Sequence, residues 1–368
     1  MKITDIEVTH HRLPLDPPFN ASWDTRPRTQ FSATIVRVHT DSGLTGIGSG
    51  DEMIGFEAYK PLFIGQDALS LERHFRILEN IQFHGSRCWP LDLALWDLAG
   101  KAANQPVWRL LGGASGRIRA YASSGTLRQP QALADQAERF LEQGFPALKI
   151  RFHRGDWRDD IKALEAVRAR LGNRLELMVD CNQGWRMPWD AAPPWTLKEA
   201  LPVARALEDL DVFWMEEPLH RGDVKGMAAL RSRVDIRIAG AEMTRELHEL
   251  RSLIEARALD VLQPDAALVG GISGLRRIAT QAVDAGLIFT PHTWTNGLGV
   301  LANAHLTAAL GNAPFLEYPY DPPEWPLAAR DFMLAEPLQA HKGWLDLGTR
   351  PGLGIALDEE RLNQTRVA

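Results

Sequence analysis

Cysteine is nearly absent from this chain, and several other signatures are missing. Two cysteines in 368 residues, Cys88 and Cys181, are too few and too unpatterned for a disulfide framework or a cysteine zinc site. No run of 18 apolar residues occurs, so no membrane-spanning helix is read from the sequence. The opening stretch MKITDIEVTHHRLPL alternates like a strand and lacks the basic start and unbroken apolar core of a signal peptide, so a cytoplasmic protein is expected. There is no lysine- or arginine-rich tract; 41 basic residues against 47 acidic ones leave a net charge of −6, which disfavours a nucleic-acid partner. Neither a Gly-rich dinucleotide fingerprint nor an internal repeat is found.

What is present is a period. From residue 117 onward, β-branched runs alternate with amphipathic stretches. The runs are RIRAYASSG, ALKIRF, LELMVDCN, VFWMEEP, IRIAGAE, DVLQPD, LIFTPHTW and PFLEYPY, separated by helical patterns such as GISGLRRIATQAVDAG. Eight such units predict a closed parallel barrel rather than an open doubly wound sheet. DPPEWPL after the eighth run resists helix, so the last unit is expected to be incomplete. The first part of the chain differs. EVTHHRLPL and FSATIVRVHT, followed by Asp41-Ser42-Gly43 and LTGIGSG, read as antiparallel strands with a turn, and LDLALWDLAGKAANQPVWRLLGG reads as helix ended by Pro106 and Gly112-Gly113. The expected organisation is an α+β domain over residues 1–116, a barrel over 117–340, and a tail over 341–368 that packs back on the first domain. The Pro/Trp-rich loop at 186–197 is expected on the catalytic face, where it would help to wall the pocket.

Three successive strand-like runs end in carboxylates, Asp180, Glu216 and Glu242. Each alone could cap a following helix; together they gather oxygens at the barrel mouth, and all-oxygen coordination suits Mg²⁺ better than zinc or copper. Asn182 lies two residues beyond Asp180 and offers an amide to a ligand or forms an Asx turn. Asp265 and His292 end the next two runs, and a carboxylate on one imidazole nitrogen would orient the ring as a base. Lys149 and Arg151, two apart on one strand, share a face, expected to be the barrel interior. Lysine can lose a proton when its pKa is depressed; arginine effectively cannot, so Arg151 is a poor base. Glu317 could donate a hydrogen bond to substrate if protonated, and Trp294, Tyr318 and Tyr320 are candidates to line a pocket.

ALKIR, VDCNQGW, WMEEPL, AGAEM, LQPDAALVGGISG, TPHTW and FLEYP, in this order, resemble the enolase superfamily, specifically its mandelate racemase-like branch. The resemblance spans essentially the whole chain. It implies an α/β fold: a modified (β/α)7β TIM-type barrel under an α+β capping domain built from the N-terminal region and the C-terminal tail. It implies Mg²⁺ on Asp180, Glu216 and Glu242, a His292–Asp265 dyad, and Glu317 in contact with the bound enolate. In the family the loop near Pro17 to Arg28, with Trp23, Asp24, Arg26 and Arg28, and the loop Gly50 to Phe56, with Asp51 and Glu52, close over the distal end of the ligand. An arginine in the first would suit a second carboxylate, as in an aldarate, and Asp51 or Glu52 the hydroxyls of an aldonate. One departure stands out: where the family often has Lys-x-Lys, this chain has Lys149 and Arg151. A racemase needs two proton-exchanging groups; an elimination needs one base. The expected activity is therefore dehydration of a polyhydroxy acid to a 2-keto-3-deoxy acid. The same-fold alternatives are a racemase, an epimerase, a lactone cycloisomerase or a catalytically silent homologue. The expected partners are the small-molecule acid and further copies of the chain.

Overall fold

The computed structural model describes residues 1–50, 52–310 and 312–367. The chain opens with three antiparallel strands, β1 (Ile3–Phe19), β2 (Arg28–Thr40) and β3 (Thr45–Gly50). Gly43 takes a left-handed φ of 81° in the turn between β2 and β3, a conformation glycine adopts without penalty. Helices α1 (Leu71–His84), α2 (Trp89–Ala102) and α3 (Val107–Leu110) follow. The sheet rests directly on α2: a Cβ on Gly46 or Gly48 would lie 2.1 Å or 2.0 Å from a backbone oxygen of Ala94 or Pro90. α2 is buried from Trp89 to Gly100, its two acidic residues Asp92 and Asp97 included.

Eight parallel strands then alternate with helices. They run β4 (Arg117–Ser123), α4 (Pro130–Glu142), β5 (Ala147–Arg151), α5 (Trp157–Leu171), β6 (Glu176–Asp180), α6 (Leu197–Asp209) and β7 (Trp214–Glu216). The series continues with α7 (Val224–Arg231), β8 (Arg237–Gly240), α8 (Leu247–Glu255), β9 (Val261–Leu262), α9 (Gly271–Asp284), β10 (Ile288–Phe289), α10 (Gly297–Leu310) and β11 (Leu316–Pro319). The ladder order is β10-β9-β8-β7-β6-β5-β4-β11. Its two ends meet through side chains: Thr290 Oγ1 donates to the Phe315 carbonyl at 2.7 Å, and Thr293 Oγ1 to the Glu317 carbonyl at 2.9 Å. This is the modified barrel that the sequence predicts. After β11 only the four-residue α11 (Leu327–Arg330) stands where a full helix would complete the eighth unit.

Strand periodicity sorts the interior into layers. Tyr121, Ala147, Met178, Trp214, Ala239, Val261 and Phe315 form an apolar plug. One step toward the carboxyl ends the inward positions turn charged, with Lys149, Arg151, Asp180, Glu216 and Glu317 all buried.

The tail makes a two-part return. On its way to the first domain, β12 (Trp344–Asp346) pairs antiparallel with barrel strand β4. Only then does α12 (Glu359–Thr365) reach β1, with the Leu362 carbonyl 3.0 Å from His11 Nδ1. Asp97 on α2 fastens the pieces together: its carboxylate accepts from Ile47 and Leu353 backbone N–H groups, each at 2.8 Å, and from Lys101 at 2.7 Å.

His305 on α10 is a second fastener, and its charge state matters. Its Nδ1 accepts the Trp108 N–H at 2.9 Å, and Nε2 lies 3.3 Å from the Leu353 carbonyl, so the ring fits there neutral. Burial holds its pKa down at about 4. Below the ordinary histidine pKa the unfolded chain takes a proton that the folded chain refuses. Stability is thus fully present above about pH 6.5 and falls as pH drops toward 4, by about 3 kcal/mol. Denaturant unfolding at successive pH values should show this loss. His305→Gln should be flatter over the same window; an equal slope would contradict the assignment.

Candidate active site

The carboxyl ends of β6, β7 and β8 bring Asp180, Glu216 and Glu242 together, with one oxygen of each within 4.8 Å of the others. All three are buried. Asp180 accepts from the Asn182 N–H at 2.8 Å and from Arg151 Nη1. Glu216 accepts from Lys149 Nζ at 2.7 Å and Gln263 Nε2 at 3.0 Å. Glu242 accepts from Trp185 Nε1 at 2.7 Å through one oxygen, while its other oxygen has no hydrogen-bond partner. Each carboxylate pair at this spacing repels by about 3 kcal/mol at an effective dielectric of about 20. Burial, opposed by Arg151 and Lys149 and reinforced by neighbouring carboxylates, pushes the pKa of Asp180 up, and Glu216 is raised in the same way. A hard divalent cation would relieve both the repulsion and the orphaned Glu242 oxygen, so the donor set fits such an ion.

Lys149 and Arg151 do face inward. Lys149 is fully buried between Glu216, at 2.7 Å, and Glu317, at 2.6 Å. Burial would lower its pKa, but the two glutamates reverse the sign, so this lysine stays charged. Arg151 donates to Asp180, to the Ser124 carbonyl at 2.8 Å and to Ser123 Oγ at 3.2 Å. Its guanidinium also lies against two indoles, 4.8 Å from the Trp23 ring and 5.2 Å from the Trp294 ring.

His292 Nδ1 sits 3.1 Å from Asp265 Oδ2, leaving Nε2 toward the cavity and 3.5 Å from Glu242. Asn303 of α10 steadies the pair, donating to Asp265 Oδ1 at 2.8 Å and to the His292 carbonyl at 3.0 Å. Burial would lower the His292 pKa, yet Glu242, the Asp265 hydrogen bond and Glu317 overcome it and raise the pKa to about 9.

Several readings of the sequence need correction. Glu317 does not donate a hydrogen bond: its oxygens accept from Lys149, Ser123 Oγ at 2.8 Å and the Thr293 N–H at 2.8 Å. Burial is outweighed there by Lys149, His292 and Arg151, which hold its pKa at about 2. Tyr318, next along the strand, faces outward; its hydroxyl bonds the Leu338 carbonyl and Arg330 stacks 4.3 Å over its ring. It does not line the cavity. Arg26 does not either, resting 5.7 Å over Trp189. Asp51 lies outside the described residues. Trp23, Asn182 and Trp294 do line the cavity of about 190 Å³, joined by Arg28, Trp185, Met243, Leu268 and Thr295 beside Arg151, Glu242 and His292. No residue of the 186–197 loop is among them; Trp185 just before it is.

Sequence reading also passed over Ser123, Asn303 and Glu217. Glu217 sits at a φ of 46° with a fully buried carboxyl; burial and then Glu242, Asp180 and Glu216 drive its pKa far upward, toward the neutral acid. The doubled glutamate of WMEEP was the available signal.

Two family descriptions match. The mandelate racemase / muconate lactonizing enzyme N-terminal domain covers residues 3–112, and the enolase C-terminal domain-like description covers residues 132–361. The chain belongs to the mandelate racemase-like branch of the enolase superfamily, and it is an enzyme of that superfamily. It is 30% identical to 3,6-anhydro-alpha-L-galactonate cycloisomerase of Streptomyces coelicolor, over 92% of each chain. It is 32% identical to L-talarate/galactarate dehydratase of Salmonella typhimurium, over 93% of this chain and 84% of that one. A racemase from Streptomyces coelicolor A3(2), crystallised with magnesium, superposes with a TM-score of 0.86 at 28% identity, over 99% of this chain and 100% of that one.

The carboxylate cluster yields a direct prediction. In the metal-free protein, histidine NMR should place His292 near pH 9, and Glu242→Gln should lower that value because it removes the largest attraction for the imidazolium. Adding Mg²⁺ should lower it too, by the same sign. A His292 pKa indifferent to both changes would contradict the geometry.

Proposed function

We propose that the protein is a Mg²⁺-dependent dehydratase of hydroxy acids, removing the proton α to a carboxylate and eliminating the β-hydroxyl to give a 2-keto-3-deoxy acid. One observation carries the choice. Among the described residues lining the cavity, His292, held by Asp265, can exchange a proton, while Arg151 is fixed in the charged form. A 1,1-proton transfer requires a second exchanging group, and Lys149 is locked between two carboxylates. Elimination requires only one.

Asp180, Glu216 and Glu242 are the residues that would hold Mg²⁺, as the magnesium in the Streptomyces racemase crystal and the buried acidic triad support. When bound, the cation acts as a Lewis acid toward the substrate carboxylate, lowering the cost of negative charge. His292 Nε2 takes the α-proton, and Asp265 fixes the tautomer and stabilises the resulting imidazolium. Arg151 presents positive charge where the ene-diolate forms, and its hydrogen bonds and indole stacking hold it ready beforehand. The carbon–oxygen bond then breaks as the enol double bond forms, and the imidazolium returns its proton to the departing hydroxyl, which leaves as water. The enol tautomerises, its hydroxyl losing a proton and the former β-carbon gaining one from solvent, to the 2-keto-3-deoxy acid. Lys149 and Glu317 are positioning residues here: Lys149 anchors Glu216, and Glu317 anchors Lys149.

The test is incubation with Mg²⁺ and a panel of aldonic and aldaric acids in D₂O, scoring keto product and α-deuterium separately. Keto product is expected. Exchange of the α-proton without keto product, or a ring-opened or ring-closed isomer, would instead favour a racemase or cycloisomerase. His292→Asn should cost about 10²- to 10⁴-fold in kcat without weakening Mg²⁺ binding. Arg151→Lys should lower kcat/KM by about 10- to 100-fold, the scale of lost hydrogen bonds to a charged group. A large gain in rate would contradict the role assigned to Arg151.

A further inference from the structure

The Asp265–His292 pair sits where the barrel's own ladder gives out. β9 and β10 are two residues each, the shortest of the eight strands, and Asp265 and His292 lie three residues beyond their ends. Among the described residues, the last backbone hydrogen bond joining the two segments runs from the Thr290 N–H to the Leu262 carbonyl at 3.1 Å. Past that point the continuation of β10 is tied to the opposite neighbour, since Thr293 donates to Glu317 from both its N–H and its Oγ1. Strand register sets Arg151 against Asp180, but it does not set Asp265 against His292.

Asn303 makes the join. It is fully buried on α10, its Nδ2 donates to Asp265 Oδ1 at 2.8 Å and to the His292 carbonyl at 3.0 Å, and its Oδ1 accepts the Ala266 N–H at 2.9 Å. Three groups from two loops close on one amide. Its orientation follows from those partners: turned over, the amide would set its oxygen against two acceptors and its NH₂ against an N–H. Asn303 and the Ala267 N–H, at 2.9 Å, both donate to Asp265 Oδ1, so the carboxylate presents Oδ2 to His292 Nδ1 at 3.1 Å. A neutral imidazole that donates its Nδ1–H to a carboxylate has a bare Nε2, here the nitrogen toward the cavity. The support behind Asn303 is firm. α10 is buried from Gly297 to Thr307, Asn296 at its start donates to Ser49 Oγ of the cap at 2.8 Å, and His305 is held by Trp108 and Leu353.

We propose that Asn303 is a positioning residue for proton abstraction: its amide locks the two loops together, turns Asp265 Oδ2 to the imidazole and so keeps His292 Nε2 the bare nitrogen that faces the cavity. This rests on the reading of His292 as the base, and not on which product follows. An asparagine that only filled space between the loops could be exchanged for a side chain of similar volume without changing the chemistry. A positioning asparagine cannot. Aspartate in its place would face two acceptors, and leucine would take from Asp265 Oδ1, the Ala266 N–H and the His292 carbonyl the partner each now has.

Two readouts on the Mg²⁺-loaded protein test this. Nitrogen-15 NMR of the histidines, at a pH where His292 is neutral, should show a single His292 tautomer in the wild type, with the proton on Nδ1. In Asn303→Asp and Asn303→Leu the Nε2–H form should appear beside it. The second readout is kinetic: for any aldonic or aldaric acid whose α-proton the wild type exchanges in D₂O, both variants should lose about 10- to 100-fold in kcat at nearly unchanged KM, the scale of a reacting group misplaced by about 1 Å. Val300→Ala, buried in the same helix but outside the cavity wall, is the control for lost packing: it should lower the melting temperature and keep both the tautomer and kcat. An Nε2–H tautomer in the wild type, or Asn303 variants with the wild-type tautomer or the wild-type kcat, would overturn the proposal. The wild-type spectrum decides even if neither Asn303 variant folds. Failure of the reading of His292 as the base looks different: the tautomer responds to Asn303 as expected, but the wild type exchanges the α-proton of no acid in the panel, or His292→Asn exchanges it as fast.

Discussion

The structure depends on one electrostatic constraint: three buried carboxylates are held within 4.8 Å of one another at the barrel mouth, beside the two buried cations Arg151 and Lys149. Burial and neighbouring carboxylates push the pKa values of Asp180 and Glu216 up despite Arg151 and Lys149, so the cluster calls for more positive charge. Arg151 and Lys149 offset part of the repulsion, but each is also shared with Glu317. A bound divalent cation completes the balance. The same deficit explains why His292 is so basic without metal, since the unpaired Glu242 oxygen is its nearest uncompensated charge.

The barrel supplies this arrangement through position rather than through any one interaction. Parallel strands in register bring Arg151 opposite Asp180, and Asp180 opposite Glu216, so the ends of neighbouring strands deliver groups to one point. Behind them a supporting layer fixes orientation. Ser123 donates to Glu317 and accepts from both Trp294 and Arg151, and Asn303 bonds both members of the dyad. The cap contributes from the other side, since Trp23 from the β1–β2 loop covers the guanidinium of Arg151. Cap and barrel therefore share the cavity wall.

Much of this was legible in the sequence because strand ends and period-two alternation are local properties. The carboxylate triad, the Asp265–His292 pair and the inward direction of Lys149 and Arg151 all follow from where short apolar runs stop. The weak eighth helix followed from proline content. What was not legible depends on contacts between distant segments. Glu317 could not be recognised as a permanent acceptor without seeing three donors converge on it. Tyr318 could not be turned outward without the packing of Arg330. That Arg28 rather than Arg26 lines the cavity, and that the tail pairs with β4 on its way, are likewise contacts between segments far apart in the chain.

The central claim is that the three carboxylates are a cation site and not a frustrated acidic cluster. Anomalous diffraction from crystals grown with Mn²⁺ in place of Mg²⁺ tests this most directly. One strong peak is predicted, within about 2.0–2.3 Å of an oxygen from each of Asp180, Glu216 and Glu242. A map with no peak there, or with the metal held elsewhere while the three side chains point apart, would contradict it.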